Sequence, residues 1–437
     1  MKSLTEQSLS KEKLTHYRWT ICALLFFATT INYIDRSIFS LIKPVLDDEL
    51  KWSNEQYGIV NAAFQGAYGI GLLIFGGFID RVGVKVGYAV SIAAWSLAAM
   101  GHGFVSNLNG FIVARISLGL GEGGNFPSAI KATTIWFPAR ERALATSIFN
   151  SGTNIGAILA PAIVPWIVIT WGWRMTFIIA GIAGFVWLLF WFPLFNIPEK
   201  IRQISHAERD MINSDQSVDT GDAEKISWIT LMQYPQTWSF IFGKFMTDPI
   251  WWFFLIWLPD YFKTTRGLYL KDSWIYLVTI YSIITVLSVL GGWITGHLTQ
   301  RGWTVTRARK TGMLIFALCV VPILAVTQVS NWTAVFLIAL AGAAHQAWMA
   351  NLYTSVSDMF PKNAIASIVG IGGLAGAISG VYFPIFCGQM LDKFIAMGNV
   401  TAGYSILFSI CASAYLIAFA VNHLLAPKFE KIHISSI

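Results

Sequence analysis

The sequence predicts an all-α membrane protein, with twelve transmembrane helices in two pseudo-symmetric six-helix bundles. Three observations carry this. First, only 12% of the 437 residues are charged and 55% are hydrophobic, against about 25% charged in a soluble domain. So little charge cannot cover a water-facing surface of this size, and the mean hydropathy is correspondingly positive. Second, the apolar residues fall into twelve continuous runs, each near the roughly 20 residues that a helix needs to cross a bilayer. Continuous rather than alternating runs favour helices over barrel strands. Third, Phe137-Pro138, Ala143 and Pro161 recur as Phe360-Pro361, Ala366 and Pro384, each offset by 223 residues. The composition excludes a soluble enzyme, a nucleic-acid module and a secreted scaffold.

Residues 1–18 are polar and contain Lys2, Lys11, Lys13 and Arg18. The first apolar run, from Trp19, is too long for a secretory signal and has no small-residue cleavage site. An uncleaved first span with a cytoplasmic N-terminus is expected. Spans follow at 19–41, 54–79, 84–104, 108–134, 143–167 and 173–195, then at 236–262, 273–298, 310–328, 331–357, 364–391 and 401–425. The polar stretch between the sets divides the chain into an N-terminal bundle (1–195), a cytoplasmic linker (196–235) and a C-terminal bundle (236–437). In the linker, Ser205-x-x-Glu208 has the pattern of a capping box for a short interfacial helix. The plainer alternative is a solvated connector.

Charge placement tests the count. Nineteen Lys and Arg fall on the side of the N-terminus and seven on the other, the bias expected when the first side is cytoplasmic. Those nineteen include Arg81, Lys85, Arg140, Lys225, Arg309 and Lys362, whereas Lys43, Lys263 and Arg266 belong to the seven. Net charge, +7, says less than this asymmetry. Cys22, Cys319, Cys387 and Cys411 lie in apolar runs without metal-ligand or redox spacing and read as small buried hydrophobes. The Gly76-Gly77 pair has a counterpart at Gly291-Gly292, each before a basic loop. Parallel repeats of six spans are the architecture of one large transporter class.

The remaining cations, Arg36, Arg115, Lys131 and Lys244, fall at membrane depth with the acids Asp35, Glu122 and Asp248. Each charge at a helix centre costs about 2.5–3.5 kcal/mol on insertion scales, so these side chains are expected to face the bundle interior or a wet cavity. Asp35 and Arg36 are adjacent and point about 100° apart, so each needs its own partner. Arg36 suits bidentate binding of an anion and Asp35 suits proton uptake; the alternative is a packing-level charge pair with another helix. Arg115 and Glu122 share one helix face about 10 Å apart, too far for direct contact. Glu122 falls near mid-membrane, where loss of water favours the neutral carboxyl. Lys131, near the cytoplasmic end, is expected to snorkel.

Lys244 and Asp248 are an i,i+4 pair that either contacts substrate or merely neutralises itself for insertion. Trp251-Trp252 after them suits stacking on a sugar ring or packing against lipid. Subtracting the repeat offset places His345 at the position mirroring Glu122. It either lines a cavity or is hydrogen-bonded within its bundle, and Gln346 beside it can donate to a substrate hydroxyl. Tyr33, Tyr68, Thr153 and Asn154 supply further polar groups in the first half.

Asp80-Arg81-Val82-Gly83 after span two resembles the cytoplasmic gate motif of the major facilitator superfamily. Asn32-Tyr33-Ile34-Asp35-Arg36, Arg115 with Glu122, and Asn125-Phe126-Pro127 together resemble its anion:cation symporter family. Gly243-Lys244-Phe245-Met246-Thr247-Asp248-Pro249 with Trp251-Trp252 looks most like that family's hexuronate transporters. The resemblance spans essentially the whole chain and implies the major facilitator fold. It further implies that Asp35 and Glu122 are protonation sites, that Arg36 holds the substrate carboxylate, that Arg115 couples protonation to occupancy, and that Tyr33, Tyr68 and Thr153 line the pocket. Asp80 and Arg81 would form the gate. Some relatives that carry linear sugar acids have Asn where this chain has Gly373, and the smaller residue leaves room for a ring-form substrate.

The expected activity is secondary active import of a sugar-acid monoanion, a hexuronate such as glucuronate or galacturonate, by proton symport and alternating access. The expected setting is the bacterial inner membrane, with both termini cytoplasmic and the protein working as a monomer in the lipid bilayer. No enzyme activity, cofactor, metal or nucleic-acid partner is expected. The alternatives are another organic anion (galactonate, glucarate or an aromatic carboxylate), Na⁺ coupling, or a non-transporting membrane sensor. A membrane enzyme is disfavoured by the lack of a nucleophile–base pair, a metal-ligand cluster or a phosphate-cradling loop.

Overall fold

A computed structural model describes residues 14–213 and 226–432. Lys2, Lys11, Lys13 and Lys225 of the charge count lie outside those residues. The described chain is helical, and the twelve expected spans are all present. The first half comprises α1 (Tyr17–Leu50), α2 (Asn54–Val82), α3 (Val84–His102), α4 (Leu108–Glu122) with α5 (Asn125–Trp136), α6 (Ala139–Trp171) and α7 (Trp173–Leu194). Two short helices follow, α8 (His206–Asn213) and α9 (Trp228–Leu231). The second half comprises α10 (Pro235–Arg266), α11 (Leu270–Gln300), α12 (Val305–Val320) continued as a 3-10 stretch to Gln328, α13 (Asn331–Met359), α14 (Lys362–Ala396) and α15 (Val400–Leu425).

Ten of these helices are long and apolar enough to cross a membrane by length and composition alone. The other two spans are exceptions for a physical reason. The fourth is broken between Glu122 and Asn125, where Ser91 Oγ donates to the Gly121 carbonyl at 2.7 Å and Tyr88 OH to Asn125 Oδ1 at 2.5 Å. The seventh, α10, carries Lys244, Asp248, Asp260 and Lys263.

Helix ends extend past the apolar runs. The largest difference is in α1, which continues nine residues beyond the expected 41 to Leu50. That extra segment brings Lys43 into the interior, 2% exposed, although charge counting placed it in a loop. Cys22, Cys387 and Cys411 are buried and Cys319 is half-buried, all as free thiols.

Two apolar cores organise the bundle. One runs from Ile38, Phe39, Tyr57, Phe111 and Trp173 of the first half into the interior of the second. The other, around Tyr88, Trp95, Trp136, Trp187 and Trp191, belongs to the first half alone. The first-half members of the shared core lie toward the face where α1 ends (the far face), and the separate core lies toward the face where α1 begins (the near face).

Polar contacts between the halves cluster on the far face too. Lys43 Nζ bonds to Asp260 Oδ1 at 2.7 Å and to Asp47 at 2.8 Å, and Tyr404 OH donates to Asp260 Oδ2 at 2.5 Å. Asp392 of α14 accepts from the first two backbone N–H groups of α2, at Asn54 (2.9 Å) and Glu55 (2.8 Å). It thus caps a helix of the opposite half, where orphan donors favour a carboxylate. Lys263 reaches the Pro44 carbonyl at 2.7 Å. On the near face, Asp80 and Arg81 are exposed and a Cβ at Gly76 or Gly77 would meet no atom within 4 Å. Among the described residues the polar contacts that latch the two halves together thus lie on the far face.

The linker is more than a solvated connector. Ser205 Oγ accepts from Glu208 N at 3.2 Å, which is half of the expected capping box. The Glu208 carboxylate instead crosses to α1, accepting from Tyr17 N (3.1 Å), Arg18 N (3.2 Å) and Arg18 Nη1 (2.8 Å). The α1 N-cap residue, His16, provides no side-chain cap, so Glu208 supplies it from outside the helix. Arg18 also pairs with Glu141 of α6 at 2.8 Å. Ile201, Ile204 and Ile212 bury themselves in the first-half core.

Candidate functional site

The site begins with the packing of α2 on α4. A Cβ at Gly119 would collide with the Phe64 carbonyl, and one at Gly123 with the backbone of Gly71 and Leu72. These two positions let the backbones approach. The approach sets Phe64 and Tyr68 of α2 beside Arg36 of α1 and Arg115 of α4.

Arg36 is the centre of this group. Its Nε and Nη2 donate to Glu122 Oε2 at 3.1 and 2.8 Å. The guanidinium carbon lies 4.5 Å from the Tyr68 ring, 4.9 Å from Tyr33, 5.2 Å from Phe64 and 5.4 Å from Trp252 of the second half. Such faces attract a cation most where water is excluded. Glu122 is 0% exposed and Asp35 1%, while Arg36 retains 8%. The guanidinium and its rings therefore close over Glu122, leaving Arg36 as the member nearest open space. Asp35 accepts no hydrogen bond from any described residue, and neither does Glu122 Oε1. A buried carboxylate without a donor is costly when charged, which makes Asp35 a candidate for carrying a proton; Glu122 becomes one when Arg36, its partner at Oε2, is drawn away.

Arg115 is separate from that pair. Its guanidinium carbon lies 4.1 Å from the Phe39 ring and 5.1 Å from Phe64, and its Nε and Nη1 find no hydrogen-bond partner among the described residues. The helical spacing thus keeps Arg115 off Glu122, and the carboxylate's partner comes from α1, 86 residues away in sequence.

The second half holds its own couple. Lys244 Nζ bonds to Asp248 Oδ2 at 2.6 Å and to Tyr353 OH at 3.0 Å. Tyr353 was not singled out from the sequence, because nothing local marks a residue 109 positions from its partner. His345 lies within its own bundle, its Nδ1 at 2.6 Å from Tyr415 OH and its ring stacked on Trp251 at 5.4 Å. Trp251 and Trp252 thus point to different tasks, one backing His345 and the other covering Arg36. Gln346, Thr153 and Asn154 are half-buried. Lys131 does not simply snorkel; it pairs with Asp80 at 2.5 Å, tying α5 to the end of α2.

Residues 25–384 match the Major Facilitator Superfamily. The chain is 29% identical over 405 residues to the hexuronate transporter of Escherichia coli (strain K12), covering 92% of both proteins. It is 31% identical to the galacturonate transporter of Dickeya chrysanthemi over 64% of this chain and 82% of that protein. It is 27% identical to a D-galactonate transporter of Escherichia coli over 86% of this chain and 90% of that one. Two solved structures share the fold. One is a bacterial homologue of the human lysosomal transporter Spinster, inward-facing and unoccupied, with 18% identity, TM-score 0.76 and coverage of 95% and 98%. The other is a D-xylose–proton symporter, with 16% identity, TM-score 0.75 and coverage of 95% and 100%. With twelve spans in two six-helix bundles and a superfamily match over most of its length, the chain belongs to the Major Facilitator Superfamily and is a membrane transport protein, not an enzyme.

Proposed function

We propose that this protein imports a hexuronate monoanion, such as glucuronate or galacturonate, together with protons. The observation that carries the reading is Arg36, bonded to buried Glu122 inside a cage of four aromatic rings that includes Trp252 from the opposite half. An incoming carboxylate and Glu122 compete for one guanidinium. Protonating Glu122 removes its charge and frees Arg36, so substrate and proton enter as a set. Asp35 is the second protonation site. Arg115, with unbonded N–H groups, packs on the same Phe64 ring as Arg36 and is the residue through which occupancy and protonation are coupled. Tyr33, Tyr68, Thr153 and Asn154 complete the first-half lining.

The halves 1–195 and 236–437 rock about this site, joined by 196–235. By the positive-inside rule the near face is cytoplasmic, the membrane is the bacterial inner membrane, and the far-face latch makes the present state inward-open. Asp80 and Arg81 then belong to the gate that closes on the cytoplasmic side. One proton with one monoanion moves no net charge; two protons move +1, worth about 2.3 kcal/mol per 100 mV. The protein works as a monomer, since both halves of the site lie in one chain.

In proteoliposomes with an inward pH gradient, the Asp35→Asn, Glu122→Gln double variant is expected to lose concentrative glucuronate uptake. Undiminished accumulation by that variant would refute the proton assignment. Removing Na⁺ at fixed pH should leave wild-type uptake unchanged, and unlabelled galactonate should compete less well than galacturonate.

A further inference from the structure

We propose that Asp248, Lys244 and Tyr353 form a subsite that reads the hydroxyl-bearing end of the sugar, and that Asp248 excludes substrates with a second carboxylate. This rests on the assignment of Arg36 to the first carboxylate.

The order of exposure within the couple decides its chemistry. The Lys244 side chain is 7% exposed and that of Asp248 16%, while Tyr353 is 39% exposed. The ammonium lies behind, held by Asp248 at 2.6 Å and Tyr353 at 3.0 Å. The groups facing open space are thus a carboxylate and a phenol. Because Lys244 donates to the Tyr353 oxygen, the phenolic proton is free to donate onward. The couple is neutral overall with its negative member outermost. It presents acceptors to a sugar hydroxyl and a donor to a ring oxygen, and it repels a second anion.

The spacing fits one six-membered sugar ring. Trp252, whose ring covers Arg36, is one helical turn from Asp248 on α10, a rise of about 6 Å. On the opposing helix, a Cβ at Gly376 would collide with Asp248 Oδ2, and one at Gly380 would lie 3.3 Å from Trp252 Cδ1. A Cβ at Gly373 would meet no atom within 4 Å. Helix α14 therefore packs against the back of the couple and leaves open space one turn away. Oxidising C1 of a hexuronate to the acid gives a hexarate, whose second carboxylate would fall beside Asp248.

Competition against labelled glucuronate uptake in proteoliposomes tests this. For the wild type, unlabelled galactarate should compete at least tenfold more weakly than galacturonate; equal competition overturns the proposal. Asp248→Asn raises the local charge by one unit and should narrow the ratio below threefold; an unchanged ratio overturns it. Ligand-induced shifts in Tm of the purified variants give the same ratio where uptake is too slow to measure. Lys244→Met leaves the carboxylate in place and should keep the discrimination at tenfold or more; parity in this variant also overturns the proposal. Arg36→Ala should abolish uptake. If uptake persists, the assignment of the first carboxylate fails, whereas an unaltered ratio in Asp248→Asn with uptake still dependent on Arg36 defeats the subsite alone.

Discussion

Replacing Lys43 with Met should unlatch the far face. In the present state Lys43 is 2% exposed and bonded to Asp260, itself 1% exposed, and to Asp47. Its ammonium also lies 5.1 Å from the Tyr57 ring and 5.8 Å from Trp257. Without it, Asp260 keeps, among the described residues, only the Tyr404 hydroxyl as a partner for its charge. Leaving one member of a buried pair uncompensated costs about 3–5 kcal/mol. When the far face opens, both groups meet water and the cost disappears, so nearly all of it falls on the latched state. Asp47 is 25% exposed, so its part of the pairing is partly replaced by water and the lower figure applies. About 3 kcal/mol corresponds to roughly a hundredfold shift toward the far-open state. Replacing both partners is far less costly than replacing one, so Lys43→Met with Asp260→Asn should return most of the closed population. Spin labels at Lys51 and Lys271, exposed far-face positions of opposite halves, report the opening as a longer distance component. An unchanged distance distribution in Lys43→Met would refute the reasoning, and so would a double variant as open as the single one.

Glu208→Gln should lower the Tm by several degrees, because it weakens the cap of α1 and strips a buried arginine of one partner, together worth about 2 kcal/mol. The same carboxylate sets an acid limit. Burial alone pushes its pKa up, but the Thr15 hydroxyl, the Arg18 guanidinium and the α1 N–H groups outweigh that and hold it below the ordinary glutamate value. Its stabilisation is therefore complete above the unfolded glutamate pKa, about 4.3, and is lost as pH falls through the lower folded value. Thermal unfolding between pH 6 and 3 should show wild type and Glu208→Gln converging at the acid end. Gly376→Ala should cost about 1–3 kcal/mol by overpacking against Asp248, whereas Gly373→Ala, with open space before it, should unfold like wild type; equal Tm losses would contradict the packing. Asp392→Ala should cost about 1 kcal/mol through the lost cap on α2 and should raise far-face opening with the same sign as Lys43→Met.

The helices were legible in the sequence because insertion itself demands long apolar runs, and the two least apolar spans betrayed themselves by their charges. Those charges named the ionisable members of the candidate site. The break in span four follows the cluster Gly119, Gly121, Gly123 and Gly124, yet the run 108–134 reads in the sequence as one continuous span. What the sequence withheld was pairing across helices. Helical spacing separates Arg115 from Glu122 but says nothing of Arg36, which reaches Glu122 only because α1 and α4 pack together. The repeat offset placed His345 opposite Glu122 in depth, yet each answers to its own bundle, one to Tyr415 and the other to Arg36. Lys43 was assigned to a loop since hydropathy falls off there, although α1 runs on to Leu50 and carries the ammonium into the interface. Asp260 falls inside the run 236–262 as a charge at membrane depth, but its partner Lys43 belongs to the other half, and Tyr404 is ordinary in its own segment; only the meeting of the two halves makes a latch.

The claim on which the transport cycle turns is that substrate on Arg36 displaces Glu122 and obliges it to take a proton. Adding glucuronate to the purified protein in a weakly buffered solution containing a pH indicator measures this without a membrane. Proton uptake approaching one per bound glucuronate near neutral pH is the expected result, falling sharply in Glu122→Gln. Glucuronate binding with no proton uptake, or with the same uptake in Glu122→Gln, would contradict it.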